Sequence, residues 1–265
     1  MAILKPRHLV ATAAIALLAL TGCGGSSDTG SGGDEGGKGG EKTTLTVFAA
    51  ASLTEVYDNL EKSFEKSHPN VDVVVTTDGS SKLVDQIKNG APADVLATAD
   101  EKNMKKATDE GLMDGEATIF ATNELTIAVQ PGNPKGITGL KDLTKGDIKA
   151  VRCAVPVPCG NVSEKVLKDA GTTVKFVSEE TSVSDVLGKV TSGEADAGLV
   201  YVTDVARSDG KAESVTMEEA AAHRTNYPIG VTKDSKNKEL AKEFIALVTG
   251  EEGQKVLGDA GFGKP

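Results

Sequence analysis

Blocks of apolar and polar residues alternate along the chain from Thr43 to its end. Short apolar runs of strand length are followed by longer stretches in which apolar residues recur at helical spacing. Residues 45–50 form the first such run, and the stretch 52–67 then places Val56, Leu60 and similar residues on one helix face. The same alternation predicts further strands at 71–76, 95–98, 125–129, 149–155, 174–177, 197–201 and 229–232, and helices at 79–87, 101–110, 161–170, 182–191 and 239–257.

This order of elements predicts an α/β fold with parallel or mixed sheets that carry helices on both faces. About 220 residues follow the first 42, which is enough for one large domain or for two lobes. The pattern contains two αβ units of similar size, and the last helix is placed to pack back on the first unit. No internal sequence repeat accompanies these two units.

The first 22 residues have the form of an export signal. Lys5 and Arg7 precede an apolar run at 9–20, which has the length of a signal-peptide core and is too short to span a bilayer. The run ends in Leu-Thr-Gly-Cys23, which resembles the lipobox of bacterial lipoproteins, whose cysteine is acylated. The alternative is an ordinary secretion signal with an incidental cysteine. Residues 23–42 are rich in Gly, Ser and charged residues and predict a flexible tether at the membrane.

Composition narrows the class of partner. The formal net charge of −10 argues against nucleic acid as a partner. It does not exclude an anionic ligand, because exposed charges are screened within about 10 Å whereas local dipoles act at contact. The chain has no tryptophan, and only 3% of it is aromatic, which argues against a carbohydrate site built on stacked rings. None of the three histidines lies at a metal-ligand spacing, so neither a metal-cation site nor a cofactor is predicted.

Two further cysteines, Cys153 and Cys159, flank the proline-containing segment 154–158. Disulfides persist in exported proteins, so the sequence predicts a bond between these two residues. A pair of free buried thiols is the alternative. The loop that the bond would close is short, which makes its entropic contribution modest.

Four strand-to-helix turns share one design. Ser52 and Ser80 stand where a strand ends and a helix begins, and Cys159 and Val183 occupy similar places further along the chain. Turns of this kind gather at the carboxyl ends of parallel strands, where the first residues of a helix offer unpaired N–H groups to an anion. Each serine by itself is typical of a simple helix cap. The four turns together predict an anion site in a cleft between two lobes, lined by neutral donors.

Five short motifs connect the chain with a known family. They are Val47-Phe-Ala-Ala-Ala-Ser-Leu53, Gly90-Ala-Pro-Ala-Asp94, Val157-Pro-Cys-Gly160, Gly198-Leu-Val-Tyr201 and Tyr227-Pro228. With these motifs, residues 43–265 resemble the periplasmic molybdate-binding proteins of ABC importers, the ModA-like solute-binding proteins. The resemblance implies a two-lobed type II periplasmic-binding-protein fold with the ligand cleft between the lobes. By alignment, lobe 1 comprises 43–121 plus 228–265, and lobe 2 comprises 122–227.

The resemblance also implies a set of ligand donors. The family binds a tetrahedral oxyanion with seven neutral donors, which map to the hydroxyl and N–H groups of Ser52 and Ser80, the N–H groups of Cys159 and Val183, and the phenol of Tyr201. Gly79-Ser80-Ser81 stands where the family has a serine triplet, so Ser81 is the alternative to Ser80. Cys159 stands where the family often has alanine, and only its N–H group is needed.

The function implied by the resemblance is capture and delivery rather than catalysis. The protein is expected to be a monomeric, non-enzymatic lipoprotein, anchored outside the cytoplasmic membrane through Cys23. It is expected to bind molybdate or tungstate and to pass the oxyanion to an ABC permease. Asp78, beside the second turn, would repel an oxyanion if it faced the cleft, and is therefore expected to point away.

Two other functions are compatible with the sequence. Sulfate, another tetrahedral oxyanion, would suit the same fold and the same kind of donors. Ser63-Phe-Glu-Lys66 matches the Ser-x-x-Lys pattern of penicillin-recognising enzymes, which would make Ser63 an acyl-transfer nucleophile beside Lys66. The companion motifs of those enzymes do not follow, and this segment lies on the polar side of a predicted helix.

Overall fold

The protein is described by a computed structural model over residues 42–265. The strands of this region are β1 (Thr43–Ala50), β2 (Val71–Asp78), β3 (Val95–Ala97), β4 (Thr118–Asn123), β5 (Leu125–Val129), β6 (Ala150–Cys153), β7 (Ser178–Glu180), β8 (Ala197–Tyr201), β9 (Glu213–Val215) and β10 (Thr225–Val231). Its α-helices are α1 (Thr54–Ser67), α2 (Ser80–Lys88), α3 (Glu101–Asp109), α4 (Pro158–Asp169), α5 (Val183–Thr191), α6 (Val202–Ala206), α7 (Lys238–Thr249) and α8 (Glu251–Asp259).

The strands form two five-stranded mixed sheets with the same pairing pattern. The first sheet has the order β2-β1-β3-β10-β4, and the second has the order β7-β6-β8-β5-β9. In each sheet the first three strands are parallel, and the last two strands run antiparallel to their neighbours. Each sheet is the centre of one lobe, so the predicted two-lobed α/β fold with mixed sheets is confirmed.

The chain passes between the lobes at two places. β4 ends the first passage through the first sheet at Asn123, and β5 enters the second sheet at Leu125. The chain returns with β10, which pairs with β4 from Thr225 onward. The boundaries proposed from the sequence, 43–121 plus 228–265 and 122–227, stay a prediction, and both fall within these two strands.

Packing explains why the predicted helices form. Helix α1 buries one apolar face, which includes Val56, Leu60 and Phe64, against the first sheet and against α7. Helix α2 packs Leu83 and Val84 on the opposite face of that sheet. Helices α4 and α5 bury Val166 and similar aliphatic residues against the second sheet. Burial of such aliphatic side chains stabilises each lobe by roughly 1.5–3 kcal/mol per side chain.

Some elements differ from the sequence prediction. The predicted strand at 174–177 is wrong, because β7 pairs with β6 only from Ser178, and Val177 is 59% exposed. The predicted helix at 239–257 is two helices, because the backbone of Gly250 is extended and separates α7 from α8. Strands β4 and β9 and helix α6 were not predicted. Each strand pairs with a partner distant in sequence, which leaves no local periodic signal.

Several predictions concern the amino-terminal segment. The export signal, Cys23 and the tether up to residue 41 lie outside the described residues. Between residues 42 and 265, none of the helices combines the length and the apolar character that a membrane crossing requires.

Candidate functional site

All five residues predicted to bind an oxyanion line one small cavity between the lobes. The carboxyl ends of β1, β2 and β3 lead to one wall of the cavity, and those of β6, β7 and β8 lead to the other. The cavity volume is about 10 Å³, which is room for little more than one water-sized sphere and far below the size of sites for drug-sized ligands. Its lining consists of Ala50, Ala51, Ser52, Gly79, Ser80, Ala99, Val157, Pro158, Cys159, Val183 and Tyr201.

The lining carries no charged side chain. Asp78 points away from the cavity: its carboxylate accepts a hydrogen bond from the N–H of Gly79 and pairs with Lys82 at 2.6 Å. The wall of the cavity therefore consists of hydroxyls, a phenol, backbone groups and apolar side chains. Such a site attracts an anion through oriented dipoles and involves no buried salt bridge with it.

Ser52 is held by a chain of hydrogen bonds behind the cavity. It lies in the single 3-10 turn Ala51–Leu53 between β1 and α1, and not in the first turn of α1 as predicted. Its hydroxyl is 2.9 Å from the phenol of Tyr227, and the side-chain amide of Asn123 donates to that phenol at 3.2 Å. The contact allows either hydroxyl to be the donor. When Tyr227 donates to Ser52, the hydroxyl proton of Ser52 is available to a ligand in the cavity.

The orientation of Asn123 is fixed by its other contacts. Its side-chain carbonyl accepts from the N–H of Glu124 at 2.9 Å, and its amide also donates to Thr203 at 2.8 Å. Thr203 belongs to α6 of the second lobe, so this buried network lies where the chain passes between the lobes. The sequence motif contained Tyr227 but gave no sign of its role, and Asn123 was missed.

The hydroxyl of Ser80 is also held by a hydrogen bond, and here the donor is a backbone N–H group. Ser80 is the first residue of α2 and is 1% exposed. Its hydroxyl accepts a hydrogen bond from the backbone N–H of Ala99 at 3.0 Å, so the hydroxyl proton remains for a ligand. Ala99 follows β3 and lines the cavity itself. Almost any residue type supplies a backbone N–H group, so this contact could not be predicted from the sequence.

The second lobe contributes the amino ends of two helices. Cys159 lies in the first turn of α4, which begins with Pro158, three residues before the predicted start of this helix at 161. Val183 is the first residue of α5, whose cap is Ser182 with a side chain that accepts from the N–H of Asp185 at 3.2 Å. The N–H groups of a first helical turn have no partner within the helix, so they are available to an anion.

A disulfide joins Cys159 to Cys153, with Cα atoms 5.6 Å apart. It connects the end of β6 directly to the first turn of α4. The intervening loop includes Val157 and Pro158, which line the cavity. The bond therefore limits the positions that the N–H group of Cys159 can take.

Among the three predicted donors that act through a hydroxyl, Tyr201 is the one whose hydroxyl makes no hydrogen bond within residues 42–265. The residue is 1% exposed, and its hydroxyl makes no hydrogen bond of normal geometry among residues 42–265. The hydroxyl of Thr225, which is also buried without a partner, lies close enough to lower the pKa of Tyr201 slightly against the effect of burial. Burial raises the pKa of Tyr201 well above the usual value of a phenol, so the group stays protonated and can only act as a neutral donor or acceptor. A buried hydroxyl without a partner is costly, and an anion in the cavity would satisfy it.

The backbone of Tyr201 is anchored by an ion pair whose carboxylate, Asp204, is fully buried. The carboxylate of Asp204 accepts from the N–H of Tyr201 at 2.9 Å and from Arg207 at 2.9 Å. Arg207 also donates to Ser184 of α5 at 2.9 Å. This ion pair thus fixes the strand end that carries Tyr201 to the helix that carries Val183.

Other candidate sites are less suited to a ligand. A larger groove at the amino ends of the first-sheet strands contains Asp94, but the backbone of Thr46 and the hydroxyl of Ser235 already satisfy its carboxylate. Ser63 donates to Glu252 and so joins α1 to α8 instead of lining the cavity. Between residues 42 and 265, no three His, Cys, Asp or Glu side chains are grouped to hold a metal ion.

Comparison with known proteins identifies the family. The profile described as bacterial extracellular solute-binding protein matches residues 45–263. The chain belongs to this family. Molybdate-binding protein ModA of Mycobacterium tuberculosis H37Rv is 41% identical over 222 residues, which cover 84% of this chain and 85% of that relative. The solute-binding protein described here is therefore ModA-like.

Two solved structures show the same fold. The periplasmic molybdate-binding protein of Azotobacter vinelandii superposes with a TM-score of 0.71 at 23% identity, covering 83% of this chain and 99% of the other. The sulfate-binding protein SubI from Mycobacterium tuberculosis H37Rv gives a TM-score of 0.72 at 19% identity, with coverage of 83% and 86%. At these identities the likeness concerns the fold, and it does not discriminate between the two anions.

Proposed function

We propose that this protein is the extracytoplasmic substrate-binding lipoprotein of an ABC importer, and that it captures molybdate or tungstate. One observation carries the proposal: residues from both lobes that are implied to bind an oxyanion surround one small cavity without a charged side chain. The 41% identity to a molybdate-binding ModA supports the choice of ligand. On this proposal the protein binds and releases its ligand, and it catalyses no reaction.

Seven neutral donors would hold the oxyanion. Ser52 and Ser80 each supply a hydroxyl and an N–H group, Cys159 and Val183 each supply an N–H group, and Tyr201 supplies its phenol. Hydrogen bonds to a charged group contribute roughly 1.5–3 kcal/mol each, so seven give on the order of 10–20 kcal/mol. Most of this is offset by dehydration of a dianion and by closure of the lobes. Neutral dipoles also permit release, since no salt bridge to the ligand has to be broken.

Size would provide the discrimination. Molybdate and tungstate differ little in radius, so both are expected to reach all seven donors. Sulfate is smaller and would leave some donors too distant for good hydrogen bonds, whose strength falls quickly with distance and misalignment. The two supported hydroxyls and the disulfide-bound turn limit how far the donors can follow a smaller ion.

Delivery would depend on the regions outside the cavity. Acylation of Cys23 would anchor the protein to the outer face of the cytoplasmic membrane, and residues 23–42 would let it reach a permease. The lobes, proposed as 43–121 plus 228–265 and 122–227, would close around the ion as a monomer. The permease would then accept the oxyanion, with energy from its ATPase.

Titration calorimetry with four oxyanions tests the proposal. We expect tight binding of molybdate and tungstate, and binding of sulfate and phosphate that is weaker by at least about tenfold, which corresponds to 1.4 kcal/mol. The purified chain from Thr43 onward is compared with the full lipoprotein to show that the tether does not contribute. Tight binding of sulfate without binding of molybdate would contradict the proposal and favour a sulfate carrier. The sulfate-binding protein SubI shows that the same fold can bind sulfate.

A further inference from the structure

Gly79 lies beside the cavity, where the backbones of the two lobes are in close contact. It precedes Ser80 and lines the cavity. A Cβ atom at this position would lie 2.1 Å from the carbonyl oxygen of Thr181 and 3.3 Å from a methyl group of Val157. Ordinary contacts of a Cβ atom begin near 3.4 Å, so a side chain here would force the backbone of Thr181 to move.

The backbone conformation of Gly79 does not itself require glycine. Its φ of −59° and ψ of 133° are common for any residue. A position usually requires glycine because its φ is positive or because another backbone approaches closely. Only the second reason applies to Gly79. Gly79 belongs to the turn between β2 and α2 in the first lobe. Thr181 and Val157 belong to the turns before α5 and α4 in the second lobe.

From this geometry we infer that Gly79 is a positioning residue for closure of the lobes, and that any side chain there weakens anion binding without weakening the fold. The inference rests on the proposed function, because closure matters only for a protein that encloses its ligand. A Cβ atom meets Thr181 only when the lobes are together. The open form, in which the lobes are separated, accommodates alanine or valine at this position.

Other residues of the two lobes also face each other near Gly79, along the line where the lobes meet, which we call the seam. The side-chain amide of Asn103 in α3 donates to the carbonyl of Pro156 at 3.3 Å. Across the seam, Asp185 of the second lobe adds to the effect of Asp78 in raising the pKa of Lys82. The hydrogen bond joins α3 to the turn that carries Val157, so the two lobes are in contact beside Gly79 as well as at Gly79 itself.

Gly160 provides the contrast within the molecule. A Cβ atom on Gly160 would lie 2.0 Å from the carbonyl oxygen of Ala154, which belongs to the same lobe and the same disulfide-bound turn. That clash persists whether the lobes are open or closed. A side chain at Gly160 should therefore weaken the fold, whereas one at Gly79 should affect only the closed state.

The test compares Gly79→Ala and Gly79→Val with the wild type. Molybdate affinity is measured by titration calorimetry, stability by urea unfolding without ligand, and closure by the change in radius of gyration on adding molybdate. Gly258→Ala is the matched control, because a Cβ atom on Gly258 in α8 would meet nothing within 4 Å. Gly160→Ala is the positive control for a clash inside one lobe.

We expect affinity to fall about tenfold for Gly79→Ala and about a hundredfold for Gly79→Val, with unfolding midpoints equal to or above the wild type. Molybdate should compact the wild type and Gly258→Ala but not Gly79→Val. Wild-type affinity in Gly79→Val would overturn the inference, as would a loss of ligand-free stability like that of Gly160→Ala. If the wild type binds sulfate and not molybdate, the proposed ligand fails, and the same comparison made with sulfate still decides the role of Gly79.

Discussion

The two lobes present their donors to the cavity in different chemical forms. The first lobe offers the hydroxyls of Ser52 and Ser80, each of which is hydrogen-bonded to a group in a strand of the first sheet or just after one. The second lobe offers backbone N–H groups of two helix ends and the phenol of Tyr201, which has no partner among the described residues. The side-chain donors of the first lobe are therefore already hydrogen-bonded, whereas the side-chain donor of the second lobe has no partner yet.

Because of this difference, substitutions in the two lobes should differ in whether they lower only ligand affinity or also the stability of the free protein. Removal of a bonded hydroxyl takes a donor from the ligand and also leaves its internal partner unsatisfied. Removal of the unpaired phenol takes a donor from the ligand but relieves the free protein of a buried unsatisfied group. The first change should lower affinity and stability together, and the second should lower affinity alone.

Ser52→Ala should have the largest effect. It removes a hydroxyl donor to the ion and leaves the phenol of Tyr227 without its hydrogen bond to residue 52. We expect affinity for molybdate to fall about 10- to 100-fold, and the free energy of unfolding of the ligand-free protein to fall by about 1–3 kcal/mol. Calorimetry and urea unfolding measure the two quantities.

The control for this change is Ser81→Ala. Ser81 is adjacent to the second turn but is not among the residues that line the cavity. Its substitution should leave affinity unchanged, and this result would also assign the second serine ligand to Ser80. An unchanged affinity in Ser52→Ala would remove Ser52 from the site.

Tyr201→Phe should have a smaller effect that is confined to binding. The ion loses one donor, and we expect affinity to fall about tenfold. Ligand-free stability should be unchanged or higher, because the buried hydroxyl that is lost has no partner within residues 42–265. Tyr57→Phe is the matched control: its hydroxyl is also buried and unpaired, but it packs in the core of the first lobe against Phe244.

The two tyrosine variants together separate binding from packing. Tyr57→Phe should match Tyr201→Phe in stability and keep wild-type affinity. The absence of tryptophan makes the tyrosine absorption difference on adding molybdate a direct second measurement. That signal should survive in Tyr57→Phe and shrink in Tyr201→Phe. Equal affinities in both variants would show that the phenol of Tyr201 does not contact the ion.

The residues that bind the ligand could be predicted from the sequence better than the residues that orient them. Serines at the ends of two strands and a tyrosine at the end of another are visible as residue types at recognisable turns. The groups that orient them are not, because Asn123, Tyr227 and the N–H of Ala99 are brought to the site by pairing between strands far apart in the chain. Such contacts follow from the completed fold and leave no local pattern.

The same distinction holds for the fold. Helix α1 and strands β5 and β8 were predicted well because their periodicity or apolar runs are local. Strand β4 lacks a strong pattern and is fixed by its pairing with β10, about a hundred residues later. The long terminal helix was predicted as one piece since its apolar face continues through Gly250, where the backbone conformation alone separates α7 from α8.

Val183→Ala should have the smallest effect on binding and gives the sharpest test of the backbone donors. Its side chain is buried in the second-lobe core, so we expect stability to fall by about 1–3 kcal/mol. Its N–H group at the start of α5 is kept, so affinity for molybdate should stay within about threefold of the wild type, less than the loss of one charged hydrogen bond. A fall as large as that of Ser52→Ala would mean that the side chain of Val183 contributes to binding in addition to its N–H group.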